Sequence, residues 1–143
     1  AKAGKSHKEV TAIAQDAADK TNVYFVVDTL EYLQKGGRIG KASALLGGLL
    51  SIKPILTCVD GEVHPHEKVR TRAKAVARIA EIAEQNGPYA EVAIIHDAGG
   101  EEVEMLLRQL EPLSDRPVID GKIGAVIGVY SGPGVIGVAL RKA

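Results

Sequence analysis

Two strand-forming runs, residues 52–59 and 62–68, are separated only by Asp60-Gly61. That dipeptide suits a two-residue hairpin, because both central positions of such a turn want positive φ. An antiparallel pair is therefore imposed on a chain whose other strand-like runs are spaced by segments of helical period. Ser6-His7-Lys8-Glu9 reads as a capping box, followed by apolar residues at helical spacing to about residue 20. Residues 22–28 form a run of strand formers with the pattern of a strand covered on both faces. One or two helical turns over 30–33 then stop at Gly36-Gly37. Residues 41–50 read as a small apolar helix, 70–85 and 99–110 as amphipathic helices, and 90–95 as another buried strand. A brief strand is expected at 117–119 and a closing strand at 135–140. The apolar run 123–130 fits a strand or a tight helix equally well. Helices interleaved with strands, with one hairpin intruding, give an α/β class bordering on α+β, built on a mixed sheet with packed helices.

The chain has 143 residues, 45% of them hydrophobic, enough for a single domain that folds without disulfides or metal. Eighteen basic residues balance eighteen acidic ones, against the basic excess of a nucleic-acid binder. Aromatic residues are 3% with no tryptophan, so a base-stacking platform is excluded too. One cysteine, Cys58, leaves no disulfide framework and no multi-thiolate metal site, and a reduced, cytoplasmic setting is expected. Lying within a strand, Cys58 reads as a small buried hydrophobe rather than a nucleophile. Residues 121–140 are weakly charged, but Lys122 and Gly132-Pro133-Gly134 break them, so no membrane insertion is expected. The first ten residues lack the apolar stretch of a signal peptide.

Gly36-Gly37-Arg38-Ile39-Gly40-Lys41 suggests a phosphate loop, but Lys35 and Ala42 stand where that pattern needs glycine and a hydroxyl. What survives is an arginine held among glycines before a helix start. That arrangement suits an anion such as a carboxylate or phosphate, and equally a plain loop with a solvated side chain. Gly132-Pro133-Gly134-Val135-Ile136-Gly137 spells the dinucleotide fingerprint, yet only six residues follow it and they read as a strand, so that reading fails. His64 and His66 share one strand face, which allows a metal site or simply an exposed hairpin edge, with no third ligand evident. His96-Asp97 ends a strand, as a functional group or as a loop anchor.

The run 27–40, Val-Asp-Thr-Leu-Glu-Tyr-Leu-Gln-Lys-Gly-Gly-Arg-Ile-Gly, resembles the signature of the DegV family of bacterial fatty-acid-binding proteins. The resemblance continues through residues 45–56, Asp60-Gly61-Glu62-Val63, Glu67-Lys68-Val69-Arg70 and Ser131-Gly132-Pro133-Gly134. As an ordered set these cover most of the chain, and they match the second half of the family only. The resemblance implies an isolated carboxyl-terminal domain, residues 1–143, whose amino-terminal partner domain is absent. It implies a long-chain fatty acid in an apolar tunnel shared by the two domains and presented to a fatty acid kinase subunit, with no catalysis by the carrier. It places Arg38, with Gly37 and Ile39, at the carboxylate or acyl-phosphate end. The apolar helix with Leu46 and Leu49, then Ile52 and Ile55, would line the tunnel. Tyr130, Ser131 and Gly132 would lie near the head group.

The family usually carries a histidine where this chain has Tyr130. A phenol donates a hydrogen bond but does not titrate near neutral pH. The family more often has apolar residues where His64 and His66 stand, which favours a surface role for both. The competing reading is an enzyme acting on a small carboxylated or phosphorylated metabolite at Arg38, with His96 or Tyr130 as acid or base. A third is an interaction module. No metal or cofactor is expected, and self-association of the isolated domain is, through the apolar surface left by the missing partner.

Overall fold

The structure is a computed structural model that describes residues 3–47 and 52–143. Its elements run α1 (His7–Asp19), β1 (Thr21–Val26), α2 (Glu31–Lys35), a 3-10 turn (Gly40–Leu45), β2 (Lys53–Val59), β3 (Glu62–Val69) and α3 (Arg72–Asn86). They continue through β4 (Glu91–His96), α4 (Glu101–Leu110), a second 3-10 turn (Glu111–Leu113), β5 (Ile119–Lys122), α5 (Ala125–Ser131) and β6 (Ile136–Arg141). Six strands form one sheet in the order β3-β2-β1-β6-β4-β5. Among the described residues only β4 and β5 pair as parallel strands; the other neighbouring strands are antiparallel. The mixed sheet and its hairpin are those expected from the alternation of elements around Asp60-Gly61.

Strand alternation gives the sheet two unequal faces. On one, α3 and α4 cover Val26, Ile55, Val92, Ile94, Ile136, Val138 and Leu140, together with Ile79, Leu106 and Leu110 of the helices. On the other, a smaller cluster of Val27, Leu30, Leu33, Ala42, Leu45, Leu56 and Val135 sits under α2, the first 3-10 turn and the chain leading to α5. The two-sided burial expected of residues 22–28 and 90–95 is therefore corrected. Val26, Val92 and Ile94 are fully buried against the helices, while Val23, Phe25 and Ile95 face the second side and stay partly open.

Three boundaries differ for physical reasons. The expected apolar helix over 41–50 is a 3-10 turn ending at Leu45. Its period of three residues puts Ala42 and Leu45 inward, and Gly47 follows at φ 91°. Residues 48–50 lie outside the described residues. The strand expected at 117–119 begins at Ile119 instead and runs to Lys122. The ambiguous run 123–130 is helical over Ala125–Ser131 and lies over the sheet face. Helix α1 has the expected capping box, with Ser6 N–H donating to Glu9 Oε2 at 2.8 Å and Ser6 Oγ accepting from Glu9 N–H at 3.4 Å. None of its residues is buried, and Val10 and Ile13 are exposed. No described helix is long and apolar enough to cross a membrane.

Candidate functional site: an apolar groove with an arginine at its rim

The thinly covered face of the sheet holds a groove of about 670 Å³, within the range of sites for drug-sized ligands. Its floor is Val23 and Phe25 of β1, Cys58 of β2, Val63 of β3, Ile95 of β4 and Gly137 of β6. Register explains the set: Phe25 pairs with Leu56 and Gly137, and Gly137 with Ile95, so these residues share one face across four strands. Helix α5 forms a wall through Val126, Ile127, Tyr130 and Ser131, and Leu33 of α2 closes the side. Val126, Ile127 and Val129 are 79%, 58% and 66% exposed, so the apolar surface of this wall continues out of the groove. Arg38 and Lys122 are the charged residues among its described lining, and no acid is. They stand at opposite ends of α5, since Lys122 precedes that helix and Arg38 lies against Tyr130 near its end.

Arg38 is placed by the way α2 stops. Gly36 caps the helix and Gly37 takes φ 67°. Gly37 N–H donates to Gln34 O at 3.1 Å and Arg38 N–H to Leu33 O at 2.8 Å. These are the paired bonds of a left-handed helix stop, which need a residue free of a Cβ at the second position. The Arg38 side chain is exposed and its guanidinium lies 5.4 Å from the centroid of the Tyr130 ring. Among the described residues Arg72, Arg78, Arg116 and Arg141 each hold a carboxylate, and Arg38 holds none. A guanidinium with no internal acid, at the mouth of an apolar groove, is arranged to take an anion from outside.

The structure brings Arg38, Tyr130 and Ser131 together on this groove and separates them from other residues singled out in the sequence. Ile55 does not line it. Ile55 is fully buried in the core under α3, because its side chain points to the opposite face from Leu56 and Cys58. Leu46 and Ile52 line a separate cavity of about 240 Å³ beside α2, with Asp28, Glu31 and Lys53. Leu49 lies outside the described residues. Ile39 packs into the smaller core cluster and Gly37 is exposed in the turn. Gly132 is not part of the lining but caps α5 at φ 72° against the ring of Tyr32. Cys58 is exposed on the floor rather than buried within the strand, and partial burial pushes its thiol pKa up.

His96 cannot join Arg38. It pairs with Ile136 on the helix-covered face and is 6% exposed, whereas its neighbour Ile95 is the residue that reaches the groove. Its Nε2 lies 2.6 Å from Asp120 Oδ1, and its Nδ1 has no partner among the described residues. Its carbonyl accepts from Ile123 N–H at 2.7 Å, which fixes the entry to α5. The loop-anchor reading of His96-Asp97 extends to Asp97, whose Oδ2 accepts from Gly134 N–H at 2.8 Å. His64 lies 3.9 Å from Glu62, and His66 meets the Tyr24 ring edge-on at 4.9 Å beside the bulge of β3.

Sequence reasoning missed the groove floor: Cys58 and Val63 face each other across the Asp60-Gly61 hairpin, but Val23, Ile95 and Gly137 lie far from them in the chain and join that face only through strand register. It also missed Arg72. That guanidinium donates to Asp28 Oδ1 at 2.9 Å, to Gly134 O and to both Glu102 oxygens, tying the turn before β6 to the chain just after β1 and to the first turn of α4. An isolated arginine at a helix start carries no sequence signal of such partners.

Known proteins resemble both the sequence and this geometry. The model of the DegV family, described as an uncharacterised protein family, matches residues 1–143. A DegV domain-containing protein of Streptomyces coelicolor is 43% identical over 99% of this chain and 52% of its own length. A solved structure of fatty-acid binding by a DegV family protein from Thermus thermophilus superposes with a TM-score of 0.87 at 29% identity, covering 99% of this chain and 52% of that one. A fatty-acid-binding DegV family protein from Streptococcus agalactiae gives 0.82 at 33% identity, over 99% and 52%. The chain thus spans about half the length of the relatives it matches. With a family match over its full length and relatives of the same fold, the chain belongs to the DegV family.

Proposed function

We propose that this chain binds a long-chain fatty acid, with the acyl tail on the apolar floor beneath α5 and the carboxylate at Arg38. The observation that carries the reading is a large apolar groove with a guanidinium, unpaired among the described residues, at its rim. Two structural neighbours, the Thermus and Streptococcus proteins, are themselves fatty-acid-binding. Each methylene taken from water gains roughly 0.8 kcal/mol, so the tail supplies most of the affinity. The carboxylate adds charge-assisted hydrogen bonds that set its direction in the groove.

The groove is open along the side of Val126, Ile127 and Val129, and α1 leaves Val10 and Ile13 exposed. In the proposed whole protein, residues 1–143 form the carboxyl-terminal domain and a second domain closes the groove into a tunnel. The whole protein is then a cytoplasmic carrier without chemistry of its own, handing its fatty acid to a kinase subunit that phosphorylates the carboxylate. Alone, the 143-residue chain self-associates through the same apolar surface. The test is native mass spectrometry of the full-length protein purified without lipid, followed by extraction of what leaves on denaturation. A co-purifying long-chain fatty acid is expected. A protein that stays empty after incubation with a panel of fatty acids refutes the reading.

A further inference from the structure

Helices α2 and α5 meet through two rings and two bare stretches of backbone. Tyr130, on α5, lies on Gly36 at the end of α2, where an added Cβ would come within 2.8 Å of Tyr130 Cε1 and closer still to Cδ1. Reciprocally, Tyr32 of α2 lies on Gly132 at the end of α5, where a Cβ would come within 2.8 Å of Tyr32 Cγ. Each helix therefore ends on a glycine that the other helix covers with an aromatic ring, and the clasp fixes the plane of the Tyr130 ring. The Arg38 guanidinium lies over that same ring, two residues beyond the glycine that seats it.

The turn after α2 sets the Arg38 backbone but leaves its long side chain several rotatable bonds. Among the described residues no carboxylate restrains it, and the ring of Tyr130 is the contact that does. We infer that Tyr130 is a positioning residue for Arg38: its ring, not its hydroxyl, holds the guanidinium at the mouth of the groove for the anionic end of the ligand. Arginine is the cation best suited to this, because its planar group stacks on an aromatic face and still offers an edge to a carboxylate. An exposed contact of this kind is worth a factor of about two to five in an equilibrium constant.

The inference rests on the carboxylate-binding reading of the groove, and the test separates the two. Dissociation constants of palmitate and of the uncharged alcohol of equal length are measured for the full-length protein and for Tyr130→Phe, Tyr130→Leu, Arg38→Ala and the Arg38→Ala/Tyr130→Leu pair. Tyr130→Leu is expected to weaken palmitate about two- to fivefold more than the alcohol, and Phe to restore what Leu loses. In the Arg38→Ala background the same leucine should add no acid-specific loss. A Phe variant as weak as Leu, or equal losses for acid and alcohol, overturns the positioning role. Wild-type protein that binds neither ligand overturns the fatty-acid reading instead. A second measurement needs no lipid: in nitrogen-15 spectra of the 143-residue chain, the Arg38 Nε–H resonance should carry an aromatic ring shift. It should persist in Tyr130→Phe and vanish in Tyr130→Leu; an unshifted wild-type resonance refutes the seat.

Discussion

Replacing Gly132 by alanine tests the clasp between α2 and α5 most directly. The position holds φ 72°, and a Cβ there meets Cγ of Tyr32 at 2.8 Å with other ring carbons closer or as near. With ψ 179° the position lies in the extended positive-φ region that is essentially reserved for glycine, where another residue costs about 1–3 kcal/mol. The overlap adds a further part of the range for overpacking, about 1–3 kcal/mol. Tyr32 is 39% exposed, so its ring can turn outward and the overlap falls near the lower end. Gly61 supplies the control, for it sits at φ 79° with nothing within 4 Å of a Cβ. Gly61→Ala should therefore cost about 1–2 kcal/mol from the backbone alone, and Gly132→Ala about 2–4 kcal/mol. For a chain of this length each kcal/mol moves Tm by about 3 °C, so the expected drops are about 3–6 °C and about 6–12 °C. The deciding assay is a thermal-unfolding cycle with Tyr32→Ala, which removes the ring that the new methyl meets. In that background Gly132→Ala should retain only its backbone cost. An undiminished cost there, or equal drops at the two glycines, refutes the claim that the ring needs bare backbone beneath it.

Other expectations concern the groove, its open side and acid stability. Arg38→Ala should weaken fatty-acid binding about five- to thirtyfold, the loss of an exposed charge-assisted contact. Affinity should still climb about fourfold per added methylene, and calorimetry across a chain-length series gives intercept and slope separately; an unmoved intercept takes the carboxylate away from Arg38. Lysine at Val126 and Val129 should shift the 143-residue chain toward monomer in light scattering, and an unchanged distribution moves the self-association surface elsewhere. Glu91 accepts from Arg141 Nε at 2.9 Å and also pairs with Arg116. The Arg141 bond, then that of Arg116, against an opposing effect of burial, holds its carboxyl below the usual range. Its folded pKa being depressed, the stabilisation is complete above the ordinary carboxylate value and disappears as pH falls through the lowered one. Wild type should exceed Glu91→Gln in Tm at pH 6, with the gap closing in acid; a gap independent of pH would falsify this assignment.

Much of this protein is local, and what is local was legible. The Asp60-Gly61 turn, the Ser6–Glu9 capping box and the glycine stop after α2 depend on contacts within a few residues, so their sequence determines them. The ordered motifs likewise point to the family before any coordinate is known, and Arg38 stands out because glycines flank it. Face and partner were not legible in the same way. Ile55 and Leu56 are adjacent and equally apolar, yet one lies fully buried under α3 and the other in the smaller cluster of the opposite face, and only strand pairing decides which. His96 resembles a catalytic group in sequence, but alternation along β4 turns it away from the groove that Ile95 enters. The seating of Tyr130 on Gly36, about ninety residues away in the chain, and the contact of Arg72 with Asp28, Gly134 and Glu102 depend on approach between distant segments. Such contacts leave no mark in the local pattern, because any residue of suitable shape satisfies local propensity equally; the packing of α2 against α5 chooses among them.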